Sequence, residues 1–350
     1  MTKKNFFLTD VMKTGNHLLV EDFLTLGRSV EEQIEYTGEY YTLHNYDLKK
    51  YDRLFAMIDY DNSHSRLWQN KDYHTDLKNR TDKLEQLGFK FIITHPWESL
   101  ENMKYKIKNY DEYVKNKKFI RWAGGTSWFW YLMQKKYKGS TLNFNHSQKK
   151  YNFLYLNKQS RTHRQKLFNR LKTENILENS LFSFLDNPYN IKLNPKYELP
   201  WVDAENYPKY GRDQDIYEPQ FNDSSINLIS ETNDNNHEVF ITEKLWKPII
   251  AGQVFVVHGN YQYLKQLKNM GFKTFGQYFN ESYDDEQNPD KRIDCIVSLC
   301  KELKNIDTLK LYRETETIRQ HNRNLFFNDA ALTNAIKETL SVFFKFADCS

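Results

Sequence analysis

Four polar residues in the second half of the chain could together bind a ligand that carries both phosphates and hydroxyls. Glu231 follows the short apolar segment 226–230, and Thr242, Glu243 and Lys244 stand at the start of the next apolar stretch. Thr242 can cap a helix, and the free N–H groups and positive dipole end of a helix start favour a phosphate. Lys244 adds a cation, and the carboxylates of Glu231 and Glu243 can accept hydrogen bonds from sugar hydroxyls. A nucleoside-diphosphate sugar has both kinds of group, whereas the plain structural alternative is a capped surface helix packed on a sheet.

The apolar pattern around these residues predicts a strand, a helix and a second strand. The strands cover 226–230 and 253–259, and the helix covers 242–251. Gly252 supplies the left-handed residue that commonly ends a helix, and we expect Pro248 either to kink the helix or to limit its first regular part. The four polar residues then lie on the loop between the first strand and the helix, or in the first helical turn.

The first half of the chain shows the same alternation of apolar runs and polar helical stretches. Strands are predicted at 53–58, 90–93 and 117–123, and a surface helix is predicted at 75–87. Strands separated by helices of this length form parallel βαβ units, whose ligand-binding loops lie at the carboxyl ends of the strands. The predicted fold class is therefore α/β.

The second half restarts this pattern, with a strand at 151–156 and a basic helix at 161–171, after a polar segment at 138–150 that has no periodicity. We expect an N-terminal domain over 1–148 and a C-terminal domain over 149–350, facing each other across a cleft. Residues 187–222 hold five of the eight prolines and are expected to be irregular. An amphipathic helix at 329–346 is expected to close the C-terminal domain.

Composition excludes several classes of protein. The 350 residues are 39% hydrophobic and 27% charged, so the chain is neither a disordered polyelectrolyte nor a membrane protein. No apolar run approaches the roughly 20 residues that cross a bilayer, and the first residues lack the apolar block of a secretory signal. The three cysteines form no CxxC pair, which argues against a thiol-built zinc site. We expect a cytoplasmic location.

The segment 226–260 is also recognisable as a motif. It contains the hexapeptide Ile241-Thr242-Glu243-Lys244-Leu245-Trp246. A small residue, a glycine and an apolar strand follow at 251–257. These features resemble the donor-binding motif of the α1,3-fucosyltransferases. The resemblance implies a GT-B glycosyltransferase with two Rossmann-like domains, whose C-terminal domain binds a GDP- or UDP-sugar without a metal or another cofactor.

The resemblance also implies roles for individual residues. The family has a strand, an Asn, and a helix-leading Arg that contacts the diphosphate, which correspond here to Asn157 and to either Arg161 or Arg164. The spacing does not decide which of the two arginines contacts the diphosphate. The structural alternative is that both belong to a solvated basic helix face. The resemblance covers about 151–172 and 226–275, so it says nothing about the first 150 residues and leaves the nucleotide base open. The other residues implied to contact the donor are Glu231, Thr242, Glu243 and Lys244.

A transfer that inverts the anomeric carbon needs a base to take the proton of the acceptor hydroxyl. In GT-B enzymes this base usually comes from the N-terminal domain. The candidates beside predicted strand ends are Asp59, His95 and Glu98. An Asp at a strand end often does no more than form a turn.

Three residues at the start of an aromatic run are candidates for acceptor binding. Gly124 and Gly125 could let the backbone approach a ligand, and Trp128 could stack on a sugar ring. Such aromatic runs more often belong to a core. The glycines lack the Lys and Ser or Thr of a P-loop, which excludes an ATPase of that type.

Residues 59–61 and 213–215 both have the Asp-x-Asp pattern of metal-dependent GT-A transferases. Two carboxylates in this arrangement could hold Mg²⁺ or Mn²⁺ against a diphosphate. The pattern arises often by chance in a chain with 46 acidic residues. Because the hexapeptide at 241–246 supplies a donor site elsewhere, a metal-independent GT-B enzyme is the preferred interpretation.

Charge is distributed unevenly along the chain. Residues 1–150 carry 25 Lys and Arg against 19 Asp and Glu, whereas residues 151–350 carry 25 against 27. The segment 103–150 alone has 12 basic residues and two acids, interleaved with Trp and Tyr. This segment could face a polyanion, so the acceptor is either a glycan or a hydroxymethylated base in DNA, as for some phage glucosyltransferases. A third hypothesis is a non-catalytic nucleic-acid-binding protein on a decayed transferase fold.

Overall fold

The structure, a computed structural model, divides the chain into two compact units. Unit 1 comprises Met1–Leu132 and Asp329–Ser350, and unit 2 comprises Met133–Asn328. The residues that the structure describes are 3–8, 32–37, 40–59, 71–94, 119–122, 125–144, 149–193, 214–234 and 239–349.

Unit 1 contains a five-stranded sheet in which every pair of neighbouring strands is parallel. Its strands are β1 (Lys3–Leu8), β2 (Glu32–Thr37), β3 (Arg53–Asp59), β4 (Lys90–Thr94) and β5 (Phe119–Trp122). Helix α1 (Lys71–Gln86) joins β3 to β4, and α2 (Gly125–Tyr137) follows β5. The strand order β2-β1-β3-β4-β5 is that of a doubly wound fold, since the chain first builds to one side of β1 and then to the other.

Aromatic side chains cover both faces of this sheet. Phe6 and Phe7 are fully buried neighbours on β1, and consecutive strand residues point to opposite faces. Phe7 packs on Phe55 with a centroid separation of 5.1 Å, while Phe6 packs on Tyr46 and Phe89 at 4.9 and 6.1 Å. Coverage on two faces is what a parallel sheet requires.

Unit 2 contains a second parallel sheet, of four strands, in the order β7-β6-β8-β9. The strands are β6 (Tyr151–Asn157), β7 (Ser180–Phe184), β8 (Ser224–Ser230) and β9 (Val254–His258). Among the described residues from β6 to β9, the helices are α3 (Thr162–Thr173), α4 (Glu218–Asp223) and α5 (Glu243–Ala251). The helices after β9 are α6 (Tyr263–Asn269), α7 (Pro289–Leu303), α8 (Thr308–Glu314) and α9 (Glu316–Phe326).

The order of this sheet fixes where a ligand can bind. The chain leaves β6 toward β7 on one side and leaves β8 toward β9 on the other. The loops that follow β6 and β8 therefore diverge, and the crevice between them at the carboxyl ends of the strands is the usual ligand site of a doubly wound sheet. All seven residues of β8 are buried, so the strand beside the crevice is fixed by packing on both faces.

Helix α5 has a capping residue at each end. The Thr242 side chain caps its start by accepting a hydrogen bond from the N–H of Lys244. At its end Gly252 has a φ of 62°, and the N–H groups of Gly252 and Gln253 donate to the carbonyls of Ile249 and Pro248. This is the Schellman arrangement, which requires a left-handed residue at the position of Gly252.

Most elements predicted from the sequence are present. The predicted strands at 53–58, 90–93, 151–156, 226–230 and 253–259 correspond to β3, β4, β6, β8 and β9. The helices expected at 75–87, 161–171 and 242–251 correspond to α1, α3 and α5, and α5 is not limited at Pro248. Strands β1, β2 and β7 had not been predicted.

The compact units differ from the expected domains at two places. The division lies between Leu132 and Met133, inside α2, rather than in the polar segment 138–150. The final helix, α10 (Asp329–Cys349), groups with unit 1, whereas it had been expected to close the C-terminal domain. The Thr339 hydroxyl of this helix lies 3.2 Å from the Ser127 hydroxyl of α2, so a side-chain hydrogen bond joins α10 to unit 1.

Replacing Gly252 with Ala is expected to lower the free energy of unfolding by about 1–2 kcal/mol, because a left-handed backbone places Cβ against the following carbonyl oxygen. Asn175, which follows α3 with a φ of 55°, provides the control. Asn175→Gly removes a Cβ at a left-handed position and should leave stability unchanged or slightly raised. Urea titration of the three proteins measures both effects, and a Gly252→Ala protein as stable as the wild type would contradict the prediction.

Candidate functional site

The candidate site lies at the carboxyl ends of β6 and β8 in unit 2. Asn157 is the last residue of β6 and Ser230 is the last residue of β8. The two strands are tied together near these ends, where the Tyr155 hydroxyl lies 3.1 Å from the Ser230 hydroxyl. The Asn157 carboxamide is buried beside the Tyr155 hydroxyl, and within the described residues neither of its polar atoms makes a hydrogen bond of standard geometry.

The Glu231 carboxylate is the central acceptor of this region. It is fully buried, and its Oε1 accepts from the Thr242 N–H at 3.1 Å and from the Tyr263 hydroxyl at 2.7 Å. Its Oε2 accepts from the Thr242 hydroxyl at 2.7 Å and from the Thr232 N–H at 3.2 Å. Burial, followed by the Glu231 charge, raises the pKa of Tyr263 well above its usual value, so this hydroxyl remains a donor. Glu231 therefore binds the start of α5 and the helix after β9 to the end of β8.

The Glu231 carbonyl oxygen holds a second group of side chains, both from α3. Arg164 donates to it through Nε at 3.3 Å and Nη2 at 3.0 Å, and the His163 ring nitrogen Nε2 lies 3.0 Å from it. Arg164 also donates to the Gln159 carbonyl at 3.4 Å. Both Arg164 and His163 are buried. The guanidinium of Arg164 therefore donates to two carbonyl groups of the protein.

Arg161 differs from Arg164 in its exposure. It is the residue before α3, is half-buried, and donates through Nη1 to the Thr232 carbonyl at 2.6 Å. Its Nε and Nη2 donate to the side-chain oxygen of Gln159. No acidic residue lies in the first turn of α3, and the Asp186 carboxylate accepts a hydrogen bond from the Ser160 N–H just before the helix. Arg161 can therefore reach an external anion more readily than Arg164.

The start of α5 presents an ion pair at the edge of the site. Lys244 Nζ donates to Glu243 Oε1 at 2.7 Å and to the Thr242 hydroxyl at 3.2 Å. The Lys244 side chain is 26% exposed, whereas the Glu243 side chain is 7% exposed. Burial alone would raise the pKa of Glu243, but the charges of Lys244 and Lys247 outweigh it and hold the pKa below its usual value. Glu243 is therefore a carboxylate at neutral pH, and Lys244 is a partly exposed cation at this helix start.

Two histidines lie beside Asp234, a residue of the loop that follows β8. The rings of His163 and His258 make an edge contact with a centroid separation of 5.5 Å. The Asp234 carboxylate approaches both, at 3.6 Å from His163 Nδ1 and 4.0 Å from His258 Nε2. Burial lowers the pKa of His163 to about 4, and burial together with the charges of nearby basic groups lowers the pKa of His258 well below its usual value. Both rings are neutral at pH 7.

Arg292 anchors the same loop from α7. Its side chain is buried, and Nη1 donates to the carbonyls of Asp234 and Gly259 at 2.9 and 2.8 Å. Its Nε donates to the Glu286 carbonyl at 2.9 Å. One guanidinium thus joins the loop after β8 to the end of β9, and this satisfies carbonyl groups that regular secondary structure leaves unpaired.

The residues predicted for donor binding are brought together, whereas those predicted for catalysis and acceptor binding belong to unit 1. Asp59 is the last residue of β3, and its side chain is not described. His95, Glu98 and Gly124 lie outside the described residues. Gly125 is the first residue of α2, and Trp128 on that helix is half-buried, with its ring 6.0 Å from that of Tyr131.

The two Asp-x-Asp segments are only partly described. Asp61 and Asp213 are not described, whereas Asp215 forms an ion pair with Lys136 within unit 2. No group of three or more His, Cys, Asp and Glu side chains suited to a metal ion occurs in the described part of the chain. Within the same ranges, no helix combines the length and the apolar character that crossing a membrane requires.

Sequence reasoning missed three residues that build the site: Tyr263, Asp234 and Arg292. Each reaches the site from a different element, and each is separated by many residues from the group that it contacts. Tyr263 begins α6 and contacts Glu231, 32 positions earlier. Arg292 contacts Asp234, 58 positions earlier. Local periodicity carries no signal for such contacts.

No model of a protein family matches the sequence, and no curated protein matches it. Solved structures that align with the chain include three crystal structures of α1,3-fucosyltransferase, one with GDP and one with GDP-fucose. Sequence identity is 10% in each case, and the alignments cover 99% of this chain and 90% or 91% of the other chain. The TM-scores are 0.43, 0.45 and 0.43. At this level the alignments define no family for the chain, and function is inferred below from the chemistry of the site.

Replacing Glu231 with Gln is expected to lower the free energy of unfolding by about 2–4 kcal/mol. The neutral amide cannot accept from four donors, and it places N–H donors of its own against them. Tyr263→Phe removes a single donor and should cost about 1–2 kcal/mol. Urea titration measures both variants. If Glu231→Gln lowers the free energy of unfolding no more than Tyr263→Phe does, the claim that the Glu231 carboxylate holds several elements together is contradicted.

Acidification is expected to destabilise the protein below about pH 6.5, the pKa of histidine in an unfolded chain. Because the pKa of His163 in the folded protein is about 4, the unfolded chain binds more protons between these values. The contribution of the neutral ring is complete above pH 6.5 and falls with decreasing pH, by up to about 1.4 kcal/mol per pH unit. The free energy of unfolding, measured from pH 7 to pH 5, tests this.

His163→Gln is the matched variant, because its amide can still donate to the Glu231 carbonyl but does not titrate. The loss of stability between pH 7 and pH 5 should be smaller in this variant than in the wild type. Burial raises the pKa values of Glu281 and Asp284, which act in the opposite direction, but these groups are present in both proteins. Identical pH dependence in the two proteins would exclude the proposed contribution of His163.

Proposed function

We propose that this protein is a glycosyltransferase that moves a sugar from a nucleoside-diphosphate sugar to an acceptor hydroxyl. The observation that carries this proposal is the position of the Ile241–Trp246 hexapeptide. Its Thr242-Glu243-Lys244 portion starts a capped helix at the crevice of a doubly wound parallel sheet. This is where such sheets bind nucleotides, and the hexapeptide resembles the donor-binding motif of the α1,3-fucosyltransferases.

The diphosphate of the donor would bind between the starts of α3 and α5. The dipoles of both helices favour an anion there. Lys244 supplies a partly exposed cation, and Arg161 supplies a guanidinium that can pair with two phosphate oxygens. Arg161 is preferred to Arg164 for this role, because the Arg164 guanidinium is buried against the Glu231 and Gln159 carbonyls.

The carboxylates of the site would have different roles. Glu243 is ionised and is bonded to Lys244, so its other oxygen could accept a hydrogen bond from a hydroxyl of the donor. Both carboxylate oxygens of Glu231 accept hydrogen bonds from the protein, and the residue has no exposed surface. It would therefore position other residues of the site and would not itself contact the nucleotide sugar. Asn157 would contact the donor from the end of β6.

The reaction would invert the anomeric carbon. The acceptor oxygen forms a bond to that carbon, the bond from the carbon to the diphosphate oxygen breaks, and the electron pair leaves on the diphosphate. Lys244, Arg161 and the helix starts would stabilise the charge that develops there. The acceptor proton passes to a base of the N-terminal half, for which Asp59, His95 and Glu98 are the candidates.

A glycan is the preferred acceptor, with Gly124, Gly125 and Trp128 as candidate contacts. The alternative of a DNA acceptor rests on the basic segment 103–150, and no contact in the described residues favours it. Lys136 pairs with Asp215, and Lys150 Nζ lies 2.9 Å from Asp223. These lysines neutralise acids of their own unit instead of extending a basic face toward a polyanion.

Lys244→Ala is expected to lower nucleoside-diphosphate affinity and sugar transfer at least tenfold while leaving the fold intact, because a phosphate would lose its nearest ammonium. Lys265→Ala is the matched control, since Lys265 is an exposed lysine of the same unit on α6. Binding of GDP and UDP by titration calorimetry, and transfer from GDP- and UDP-sugars, measure the effect. Full activity in Lys244→Ala would contradict the assignment.

Metal independence gives a second test of the proposal. Because Lys244 and Arg161 would balance the charge of the leaving diphosphate, turnover should be unchanged when EDTA is added in excess. Loss of turnover that is restored by Mg²⁺ or Mn²⁺ would instead favour an Asp-x-Asp enzyme of the GT-A type. A folded protein that binds DNA but shows no transfer would favour the non-catalytic alternative.

A further inference from the structure

A cavity of about 590 Å³ lies beside the site, at the carboxyl ends of β6 and β7. Residues 159–161 after β6 and residues 185–187 after β7 line it, together with Asn190. Its volume is within the range of small-molecule sites in proteins, and it is broadly open to solvent. It is a feature of unit 2 that the sequence had not indicated.

The backbone of this cavity is held in place by hydrogen bonds that extend the pairing of β6 with β7. The N–H of Leu185 donates to the Asn157 carbonyl at 3.1 Å, and the N–H of Asp186 donates to the Lys158 carbonyl at 3.0 Å. The Asp186 carbonyl in turn accepts from the N–H of Asn190 at 3.3 Å. The polar side chains of the cavity therefore stand on a fixed frame, as a binding site requires.

Asp186 gives the cavity its chemical character. Its Oδ2 accepts from the Ser160 N–H at 3.3 Å, and among the described residues its Oδ1 accepts no hydrogen bond. An ionised carboxylate only accepts, so it repels a phosphate and suits a neutral group with O–H donors. Asn187, Asn190 and Gln159 also line the cavity, where the Asn190 amide donates to Asn187 Oδ1 and Gln159 Oε1 accepts from Arg161. These groups fit the vicinal hydroxyls of a sugar ring.

Arg161 connects the cavity to the proposed diphosphate site. It is one of the residues that line the cavity, and its Nη1 donates to the Thr232 carbonyl of the loop that leads to α5. A nucleotide with its diphosphate at the starts of α3 and α5 would therefore place its ribose on the side of Asp186. In βαβ units that bind dinucleotides, an acidic residue after the second strand commonly accepts from the ribose hydroxyls. Asp186 follows β7, the second strand of the unit β6-α3-β7.

We propose that this cavity binds the ribose of the donor nucleotide and that Asp186 accepts hydrogen bonds from the 2′- and 3′-hydroxyls. The proposal rests on the proposed function. It gives the ribose a carboxylate that Glu231 does not offer, since both oxygens of Glu231 are occupied by protein donors. Asp186 is thus a specificity residue that distinguishes ribonucleotides from deoxyribonucleotides.

The test compares ribose and deoxyribose ligands on three proteins. Titration calorimetry measures the binding of GDP, 2′-deoxy-GDP, UDP and 2′-deoxy-UDP to the wild type, to Asp186→Asn and to Asp294→Asn. Asp186→Asn removes the charge but keeps an oxygen that can accept from the Ser160 N–H. Asp294→Asn removes an exposed carboxylate of unit 2 that pairs with Arg170 and lies outside the cavity.

The wild type should bind whichever ribonucleotide it prefers about tenfold or more tightly than the 2′-deoxy form, as expected for a hydrogen bond to a charged acceptor. Asp186→Asn should lose most of this ratio through weaker ribonucleotide binding, while Asp294→Asn should keep it. An Asp186→Asn protein with the wild-type ratio would overturn the proposal, and so would a wild type with no preference. Because the wild-type ratio needs no variant, the test does not depend on the folding of Asp186→Asn.

The same titrations separate this proposal from the proposed function. A wild type that binds GDP or UDP without regard to the 2′-hydroxyl overturns the ribose site and leaves the donor site in place. A wild type that binds neither diphosphate overturns both. A raised KM for the acceptor in Asp186→Asn, with unchanged nucleotide binding, would assign the cavity to an acceptor sugar and overturn the ribose site.

Discussion

The buried carboxylate of Glu231 is the interaction on which the site depends. A charge removed from water must be matched by hydrogen bonds, and here Thr242, Tyr263 and Thr232 provide them. The carbonyl of the same residue holds Arg164 and a ring nitrogen of His163. One residue at the end of β8 therefore determines where α5 begins, how α6 packs and how α3 is anchored.

The charged residues of unit 2 divide into those that build the site and those that can face a ligand. Glu231, Arg164 and Arg292 are buried and bonded to protein groups, so their charges hold loops in place. Lys244 and Arg161 keep part of their surface exposed at two helix starts, where an anion is favoured. The neutral pair His163 and His258 lies near Arg164 and Arg292, and its neutrality avoids a further buried positive charge beside them.

Much of the fold could be predicted because its signals are local. Strand β3 holds five consecutive apolar residues at 54–58, β9 is apolar over 254–257, and α5 has a Thr at its start and a Gly at its end. The strand at 180–184 was missed because its five residues, with two serines, have no distinct apolar pattern. Its place in the sheet comes from pairing with β6, a contact between segments that are distant in sequence.

The sequence by itself determined the α/β class, the helix that starts at Glu243 and the group of polar residues around it, since apolar periodicity and helix caps act over a few residues. Only the tertiary structure decided which charges point inward. Glu231 and Glu243 are equivalent in the motif, but Tyr263 from another helix closes the shell of donors around Glu231. Arg161 and Arg164 are equally basic and both donate to protein oxygens, but Arg164 is buried, whereas Arg161 is only half-buried. A carboxylate or guanidinium becomes structural or available for a ligand according to partners that folding brings from distant parts of the chain.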